Sequence, residues 1–170
     1  MCHVMFINGD CNLDQFAGID MQELNDNPTL ADGTAAGYRA FAVVDRASSS
    51  AKKWGLTSGQ GWVEMEDLGE VDMGSKAMVE SSLKWGIQQC KSAGNSLFML
   101  SYWDHGGGIS GLGGDEHTSA SGGHGSGTSM KDYAEACSNA ITSESLPSSN
   151  VMLGFDACLM SQFGVVAGLK

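Results

Sequence analysis

Two side chains with reactive groups closely follow runs of apolar residues in this sequence. His105 is separated from the run SLFMLSYW by one residue, and Cys158 is separated from NVMLGF by two. A cysteine thiolate is a strong nucleophile, and a neighbouring imidazole can activate it and later protonate the leaving group. Either residue alone would be interpreted as a buried thiol or a loop histidine. Together they indicate nucleophilic catalysis through a covalent intermediate.

The segments that position these residues alternate between strands and helices. Continuous apolar runs predict buried strands, and amphipathic segments between them predict helices. The predicted strands are 3–7, 38–47, 62–73 (short strands or a hairpin), 96–103 and 150–155, and the predicted helices are 13–25, 74–94, 129–141 and 158–169. This order predicts a single α/β domain over 1–170, a three-layer αβα sandwich with a mainly parallel sheet.

The predicted sheet brings the two reactive residues together. Parallel strands end at one edge of their sheet, and ligands of such sheets bind outside those ends. His105 and Cys158 both follow strand ends, although 53 residues separate them in the chain. We therefore expect the thiol and the imidazole to lie within hydrogen-bond reach of each other.

A Gly/Ser-rich segment over 106–128 follows the histidine. Ten of the 22 residues from Gly106 to Gly127 are glycine, so we expect a flexible surface loop. Residues 106–111 match the pattern GxGxxG of dinucleotide-binding loops. In that class of site a helix must follow at once and hold the pyrophosphate, whereas more glycines follow here. A dinucleotide site is therefore not expected.

The two motifs WDHGGG and LGFDACLM resemble those of the clostripain-like cysteine peptidases (family C11), which are relatives of the caspases. Three further segments, MFINGDCNLDQF, LGEVDMGS and GGDEHTS, resemble other parts of that family, so the likeness covers nearly the whole chain. Its most specific part is GFDACLM. The resemblance implies a caspase-like fold and a cysteine endopeptidase that cleaves peptide bonds after Arg or Lys.

The resemblance also assigns roles to individual residues. His105 matches the catalytic histidine and Cys158 the nucleophile, while the backbone amides of Gly106 and Cys158 match the oxyanion hole. Asp156 matches the acid of the S1 pocket, where a carboxylate pairs with the Arg or Lys of the substrate. Capping of the following helix is an equally open interpretation of Asp156. We expect Asp104 to be structural.

The sequence departs from the family pattern in two places. No Lys or Arg occurs between His105 and Lys131, where family members are often cleaved during activation. The chain also ends 12 residues after Cys158, so we expect an incomplete domain that carries the catalytic residues. An alternative function is therefore an inactive or truncated caspase-like domain that acts as a binding module.

The composition of the chain limits which classes of partner are expected and leaves its compartment open. A net charge of −11 argues against nucleic acid, which usually binds to a basic face. No apolar run is long enough to span a membrane and no signal peptide is visible, so the sequence predicts no membrane partner and leaves the compartment open. The five cysteines are an odd number and form no CxxC motif. We therefore do not expect a disulfide framework.

No metal site is predicted from the residues themselves. Asp115, His117 and His124 match no usual spacing of metal ligands, and residues 10–15 lack the glycine that a calcium-binding loop needs at its sixth position. The sequence thus requires no cofactor. Calcium is implied only by the resemblance, since some family members depend on it.

Overall fold

Strongly apolar segments of the chain form the parallel centre of a mixed sheet. The structure, a computed structural model, describes residues 1–27, 37–57, 59, 61–117, 125 and 127–169. The strands are β1 (Cys2–Gly9), β2 (Arg39–Arg46), β3 (Ser49–Thr57), β4 (Gly61–Gly69), β5 (Phe98–Trp103) and β6 (Val151–Asp156). They lie in the order β4-β3-β2-β1-β5-β6. Strands β2, β1, β5 and β6 run parallel to one another, as predicted.

The register of the parallel strands brings their carboxyl ends to one side. Ile7 of β1 pairs with Trp103 of β5, and Trp103 pairs with Asp156 of β6. Residues just beyond these three positions are therefore neighbours in space. We call this side of the sheet the carboxyl edge, and the side where the parallel strands begin the amino edge.

Helices cover both faces of the sheet, which confirms the expected αβα sandwich. They are α1 (Asp14–Asp26), α2 (Lys76–Ser92), α3 (Met130–Ser143) and α4 (Phe163–Gly168). Val4 and Phe6 of β1 pack in the core formed with α2 and α3, whereas Ile7 packs with Ala17 of α1. The two layers follow from the strand geometry, because successive side chains point to opposite faces. None of the helices in the described ranges combines the length and the apolar character that crossing a bilayer requires.

An antiparallel hairpin, β3–β4, extends the sheet beyond β2. The prediction of short strands or a hairpin in 62–73 captured β4 but missed β3. Lys52 and Lys53 of β3 pair with Glu64 and Glu66 of β4 at 2.8 Å. These exposed or half-exposed ion pairs give the hairpin a polar sequence without a buried apolar run, and that is why β3 was not recognised.

A disulfide joins the amino edge of the sheet to α2. Cys2 at the start of β1 bonds to Cys90 near the end of α2, and both residues are fully buried. The sequence predicted no disulfide framework, and this single bond was not foreseen. The partners lie 88 residues apart, so no local spacing revealed the pair. Cys11, Cys137 and Cys158 remain free thiols, of which only Cys158 is exposed.

The segment after β6 differs from its prediction as a helix over 158–169. Turns occupy residues 157–161, and α4 begins only at Phe163 with Gln162 as its N-cap. Leu159 has a φ of 62°, a left-handed conformation that is uncommon for a residue with a side chain. This left-handed residue interrupts the helical backbone directly after Cys158 and delays the start of the helix.

The described parts of the Gly/Ser-rich segment contain local structure. A 3-10 turn covers Gly108–Ser110, and isolated bridges join Gly106 to Leu112 and Gly114 to Gly127. Leu112 is buried in the core. His124 lies outside the described residues, as do its neighbours in 118–123. The flexibility of the loop stays a prediction.

Candidate active site

His105 stands at the carboxyl edge, two residues after β5, with an exposed side chain. Its Nε2 lies 2.7 Å from Oδ1 of Asn12, in the turn between β1 and α1. An amide oxygen can only accept a hydrogen bond, so Nε2 must carry the proton. The imidazole makes no hydrogen bond to the Cys158 thiol, contrary to the expectation from the sequence. In the neutral ring Nδ1 keeps its lone pair and has no hydrogen-bond partner among the described residues. This nitrogen is the one available for acid–base chemistry.

Asp104 holds the loop that carries His105. Its buried carboxylate accepts hydrogen bonds from the His105 backbone amide, from Asn8 Nδ2 at 2.8 Å and from Cys11 Sγ at 3.8 Å. Burial raises the pKa of Asp104 to about 7. These contacts tie β1 to β5 at the base of the site, which agrees with the structural role expected for Asp104.

Cys158 lies beside the residue that follows the histidine. A Cβ atom built on Gly106 would overlap the carbonyl oxygen of Cys158 and lie 3.0 Å from its amide nitrogen and 3.1 Å from Cβ of Ala157. The backbones of the two predicted motifs are therefore packed against each other, with space at position 106 only for glycine. The contact follows from the β5–β6 pairing, which continues as a 3.3 Å hydrogen bond from the Asp104 amide to the Asp156 carbonyl.

Asp156 ends β6 with its side chain exposed. Its carboxylate forms no hydrogen bond or ion pair with another residue in the described part of the chain. It does not cap a helix, because α4 begins seven residues later with Gln162 as the N-cap. The structure therefore does not support the capping interpretation, and the role of Asp156 in the S1 pocket stays a prediction.

Sequence reasoning missed a group of acidic residues at the same edge. One carboxylate oxygen from each of Asp10, Asp45 and Glu70 lies within 4.8 Å of the other two. Burial, reinforced by the neighbouring carboxylate of Asp115, raises the pKa of Asp45 to about 8. We call Asp10, Asp45 and Glu70 the carboxylate cluster. Among the described residues, these three side chains bring together oxygen atoms of the kind that bind metal ions.

Asp115 and His117 are closer to this cluster than their loop position suggested. Asp115 is buried and accepts hydrogen bonds from the backbone amides of Met73 at 2.8 Å and His117 at 3.0 Å. His117 Nδ1 lies 2.6 Å from Oδ1 of Asp10. A signal for this region did exist in the sequence, because Asp10 and Asp45 are polar residues at strand ends, as Asp104 is. Their separation along the chain concealed the group.

The family profile that matches this chain is that of the clostripain family, over residues 5–170. No curated protein matches the sequence. Among solved structures, a secreted C11 cysteine protease from Bacteroides thetaiotaomicron, in complex with an irreversible peptide inhibitor, aligns with a TM-score of 0.75 and 18% identity. An inactive zymogen C11 protease from Parabacteroides distasonis aligns with a TM-score of 0.62 and 16% identity.

These alignments cover nearly all of this chain but less than half of each relative. The Bacteroides alignment covers 99% of this chain and 45% of the other, and the Parabacteroides alignment covers 99% and 44%. At such low identity the likeness establishes the fold, which is that of the C11 proteases. Together with the family match over nearly the entire sequence, it shows that the chain belongs to the clostripain family of C11 cysteine peptidases.

Proposed function

We propose that this chain carries the catalytic residues of a cysteine endopeptidase, with Cys158 as nucleophile and His105 as general acid and base. The observation that supports the proposal most strongly is the contact between Gly106 and the Cys158 backbone. Because His105 precedes Gly106 directly, this contact places the imidazole and the only exposed thiol at neighbouring strand ends.

In the proposed reaction, the Cys158 thiolate attacks the scissile carbonyl carbon and forms a tetrahedral intermediate. The backbone amides of Gly106 and Cys158 donate hydrogen bonds to its oxyanion. His105 protonates the leaving amine, and a thioester to Cys158 remains. Water then attacks the thioester with His105 as the base, which releases the carboxyl product and restores the thiol.

Asn12 has the role of a positioning residue in this scheme. Its amide oxygen fixes the His105 ring by accepting the hydrogen bond from Nε2. A partner on one ring nitrogen decides which nitrogen is protonated, as the orienting carboxylate does in serine proteases. The unshared Nδ1 is then directed to act on the thiol and on the leaving group.

We further propose that the substrate is a peptide or protein with Arg or Lys before the cleaved bond. The exposed carboxylate of Asp156 supports this, since it lies two residues from Cys158 and has no partner among the described residues. A carboxylate can bind a guanidinium through two parallel hydrogen bonds. The peptide inhibitor bound to the Bacteroides relative supports a peptide as the substrate class.

The test is the hydrolysis of a fluorogenic peptide that ends in Arg, by the wild type and by Cys158→Ala. We expect the variant to lose at least 1,000-fold in kcat/KM, since knocking out a catalytic nucleophile removes most of the rate enhancement. Ser161→Ala, in the same exposed turn, is the matched control and should keep full activity. Equal rates for the wild type and Cys158→Ala would refute the assignment of the nucleophile.

The alternative function is a binding module that does not cleave its peptide. One observation favours it: the His105 imidazole bonds to Asn12 and makes no hydrogen bond to the Cys158 thiol in the described part of the chain. Isothermal titration with the same Arg-ended peptide separates the two functions. Binding that Asp156→Asn weakens, without any hydrolysis by the wild type, would support the binding module.

A further inference from the structure

A cavity of about 270 Å³ opens between helix α1 and the hairpin β3–β4, and we call it the hairpin cavity. None of the residues that line it belongs to the candidate active site or to the carboxylate cluster. The apolar side chains of its lining are those of Met21, Val44, Trp54 and Trp62. Polar side chains from α1, from the end of β2 and from β3 complete the lining. The hairpin cavity therefore combines aromatic surface with groups that can form hydrogen bonds.

Two of the four tryptophans of the chain, Trp54 and Trp62, line the hairpin cavity. Both are only partly buried, although both pack against the small core that α1 covers. The Trp62 ring is fixed between β4 and α1, because its Nε1 donates a 2.9 Å hydrogen bond to the Met21 carbonyl oxygen and its backbone amide donates one to Asn25 Oδ1. A fixed aromatic surface that stays open in a concave place is typical of a site for a small ligand.

Two hydrogen-bond donors of the hairpin cavity have no partner among the described residues. Arg46 binds Asp14 through Nε at 3.0 Å and Nη2 at 3.1 Å, which leaves its Nη1 without an acceptor. This nitrogen lies beside Gly18, where a Cβ atom would come within 3.0 Å of it. The indole N–H of Trp54 also donates to no described residue, whereas a partly buried tryptophan usually has a partner. Both donors are available to a ligand in the cavity.

The charges at the hairpin cavity are already compensated. Its basic residues are Arg46, which pairs with Asp14, and Lys52. The Lys52 ammonium lies 2.8 Å from a carboxylate oxygen of Glu64 and 4.0 Å from one of Asp67. Three carboxylates thus surround two basic groups, so an anion would be repelled and a cation would meet the two basic groups. A neutral ligand is favoured.

Hydrogen-bond acceptors lie on the helix side of the hairpin cavity. Gln22 donates through Nε2 to Asp26 at 2.8 Å, and its side-chain oxygen has no partner among the described residues. Asn25 Oδ1 accepts one hydrogen bond from the Trp62 amide and keeps a second lone pair. A neutral ligand between α1 and the hairpin would therefore find donors on one side and acceptors on the other.

These features match the chemistry of a single sugar ring. A pyranose has C–H groups that pack on an indole ring, and hydroxyl groups around its rim that both donate and accept hydrogen bonds. The cavity is smaller than the range of about 300–1,000 Å³ that is usual for drug-sized ligands, so it suits one ring. We propose that the hairpin cavity binds a neutral pyranose, which packs on Trp54 and forms hydrogen bonds with Arg46 and Gln22. The proposal does not depend on the peptidase function proposed above.

Isothermal titration tests the site with D-glucose, D-galactose and N-acetyl-D-glucosamine, and with adenine as a neutral ring of another class. We expect at least one sugar to bind the wild type at one site with a Kd of about 1 mM, since so small a ligand makes few contacts. Its affinity should be at least tenfold weaker in Trp54→Leu and at least threefold weaker in Gln22→Ala. Glu23→Ala changes the exposed neighbour of Gln22, which does not line the cavity, and is the matched control with unchanged affinity.

Three results of this titration would overturn the proposal. They are the lack of saturable binding by any of the sugars, tighter binding of adenine than of the sugars, and equal sugar affinities in Gln22→Ala and Glu23→Ala. If Trp54→Leu fails to fold, Gln22→Ala still tests the site, because Gln22 is an exposed residue of a helix.

The indole N–H signals in a ¹H–¹⁵N spectrum give a second readout, because they report where the sugar binds. The Trp54 signal, identified by its absence from Trp54→Leu, should shift as the sugar is added, since its N–H gains a partner. The signals of Trp85, on α2, and of Trp103, whose indole donates to Asp20 at 2.6 Å, should not move. Sugar binding without a shift of the Trp54 signal would refute the proposed site.

Discussion

The two edges of the parallel sheet are built in different ways. At the amino edge, the buried disulfide between Cys2 and Cys90 closes the core. Nearby, His3 contacts the Ser101 hydroxyl at 2.7 Å and the Tyr38 hydroxyl at 3.3 Å, and burial lowers the pKa of His3 to about 4. The polar groups there have partners, and the histidine is neutral near pH 7.

The carboxyl edge has the opposite character. It contains the exposed side chains of His105, Cys158 and Asp156, together with buried carboxylates whose desolvation opposes folding. Groups of this kind persist where binding or catalysis requires them, and the rest of the fold must offset their cost. One edge thus stabilises the domain, while the other carries the residues for which we propose chemistry. Changes at the two edges should therefore have different readouts.

The largest effect is expected at the amino edge, where the disulfide is removed. The double variant Cys2→Ala with Cys90→Ala should lose about 4 kcal/mol of unfolding free energy, because the bond closes a long loop in the unfolded chain. Denaturant titration measures this loss. Under conditions where the variant remains folded, its kcat/KM should stay within about twofold of the wild type. A stable variant with lost activity would contradict the separation of roles.

At the carboxyl edge, Gly106→Ala should reduce kcat/KM by at least 100-fold, which corresponds to about 2.7 kcal/mol. The new methyl group would overlap the Cys158 carbonyl oxygen and displace the backbone that is proposed to bind the oxyanion. Gly107→Ala is the matched control, since its Cβ would meet no atom closer than 3.5 Å. Similar activities for the two variants would refute the importance of the contact at position 106.

The variant Asp104→Asn tests how the buried carboxyl group affects the free energy of unfolding. The pKa of Asp104 is raised from 3.8 to about 7 in the folded protein, so the folded state binds a proton more tightly than the unfolded state. The stabilisation that the protonated Asp104 carboxyl group gives the folded state is complete below about pH 4, and it is lost as the pH rises through 7.

The measurement for Asp104 is the difference in unfolding free energy between the wild type and Asp104→Asn. This difference should fall by roughly 3 to 4 kcal/mol between pH 4 and pH 8. Subtracting the variant cancels groups that titrate elsewhere, such as His3. For the exposed control Glu23→Gln the corresponding difference should vary by less than about 0.5 kcal/mol. If the wild type instead gained stability relative to Asp104→Asn as the pH rises, the predicted direction of the pH dependence would be wrong.

The smallest effect is expected for Asn12, which forms a hydrogen bond with His105 but is not itself proposed to react. Asn12→Ala should lower kcat about tenfold with little change in KM, since it frees the His105 ring to rotate. Asn12→Asp keeps an oxygen acceptor and should restore the rate while moving the lower limb of the pH profile. Gln15→Ala, an exposed substitution on α1, should have no effect. A change of KM alone in Asn12→Ala would indicate a role in substrate binding.

The parallel core and the two strand-end motifs could be predicted because they are local patterns. An apolar run followed by His105 or by Cys158 is visible within ten residues, and parallel topology brings the ends of such runs together. The polar strand β3 could not be predicted in this way, because its Lys52 and Lys53 gain their partners only through the neighbouring strand.

Contacts between residues that lie far apart in the chain could not be predicted from the sequence. The disulfide joins residues 88 positions apart, and the carboxylate cluster combines Asp10, Asp45 and Glu70 from three strand ends. The late start of α4 depends on the left-handed backbone of Leu159, which no residue preference indicates. Each of these features depends on tertiary packing rather than on periodicity along the chain.

We propose that Cys158 is a nucleophile activated at the carboxyl edge of the sheet, and covalent labelling of its thiol is a direct test. The chain is treated with an irreversible, thiol-reactive peptide that ends in Arg, and mass spectrometry locates the adduct. We predict a single adduct on Cys158 that is absent from Cys158→Ala and strongly reduced in His105→Ala. No adduct on Cys158, or equally fast labelling of the wild type and His105→Ala, would show that His105 does not activate Cys158 as a nucleophile.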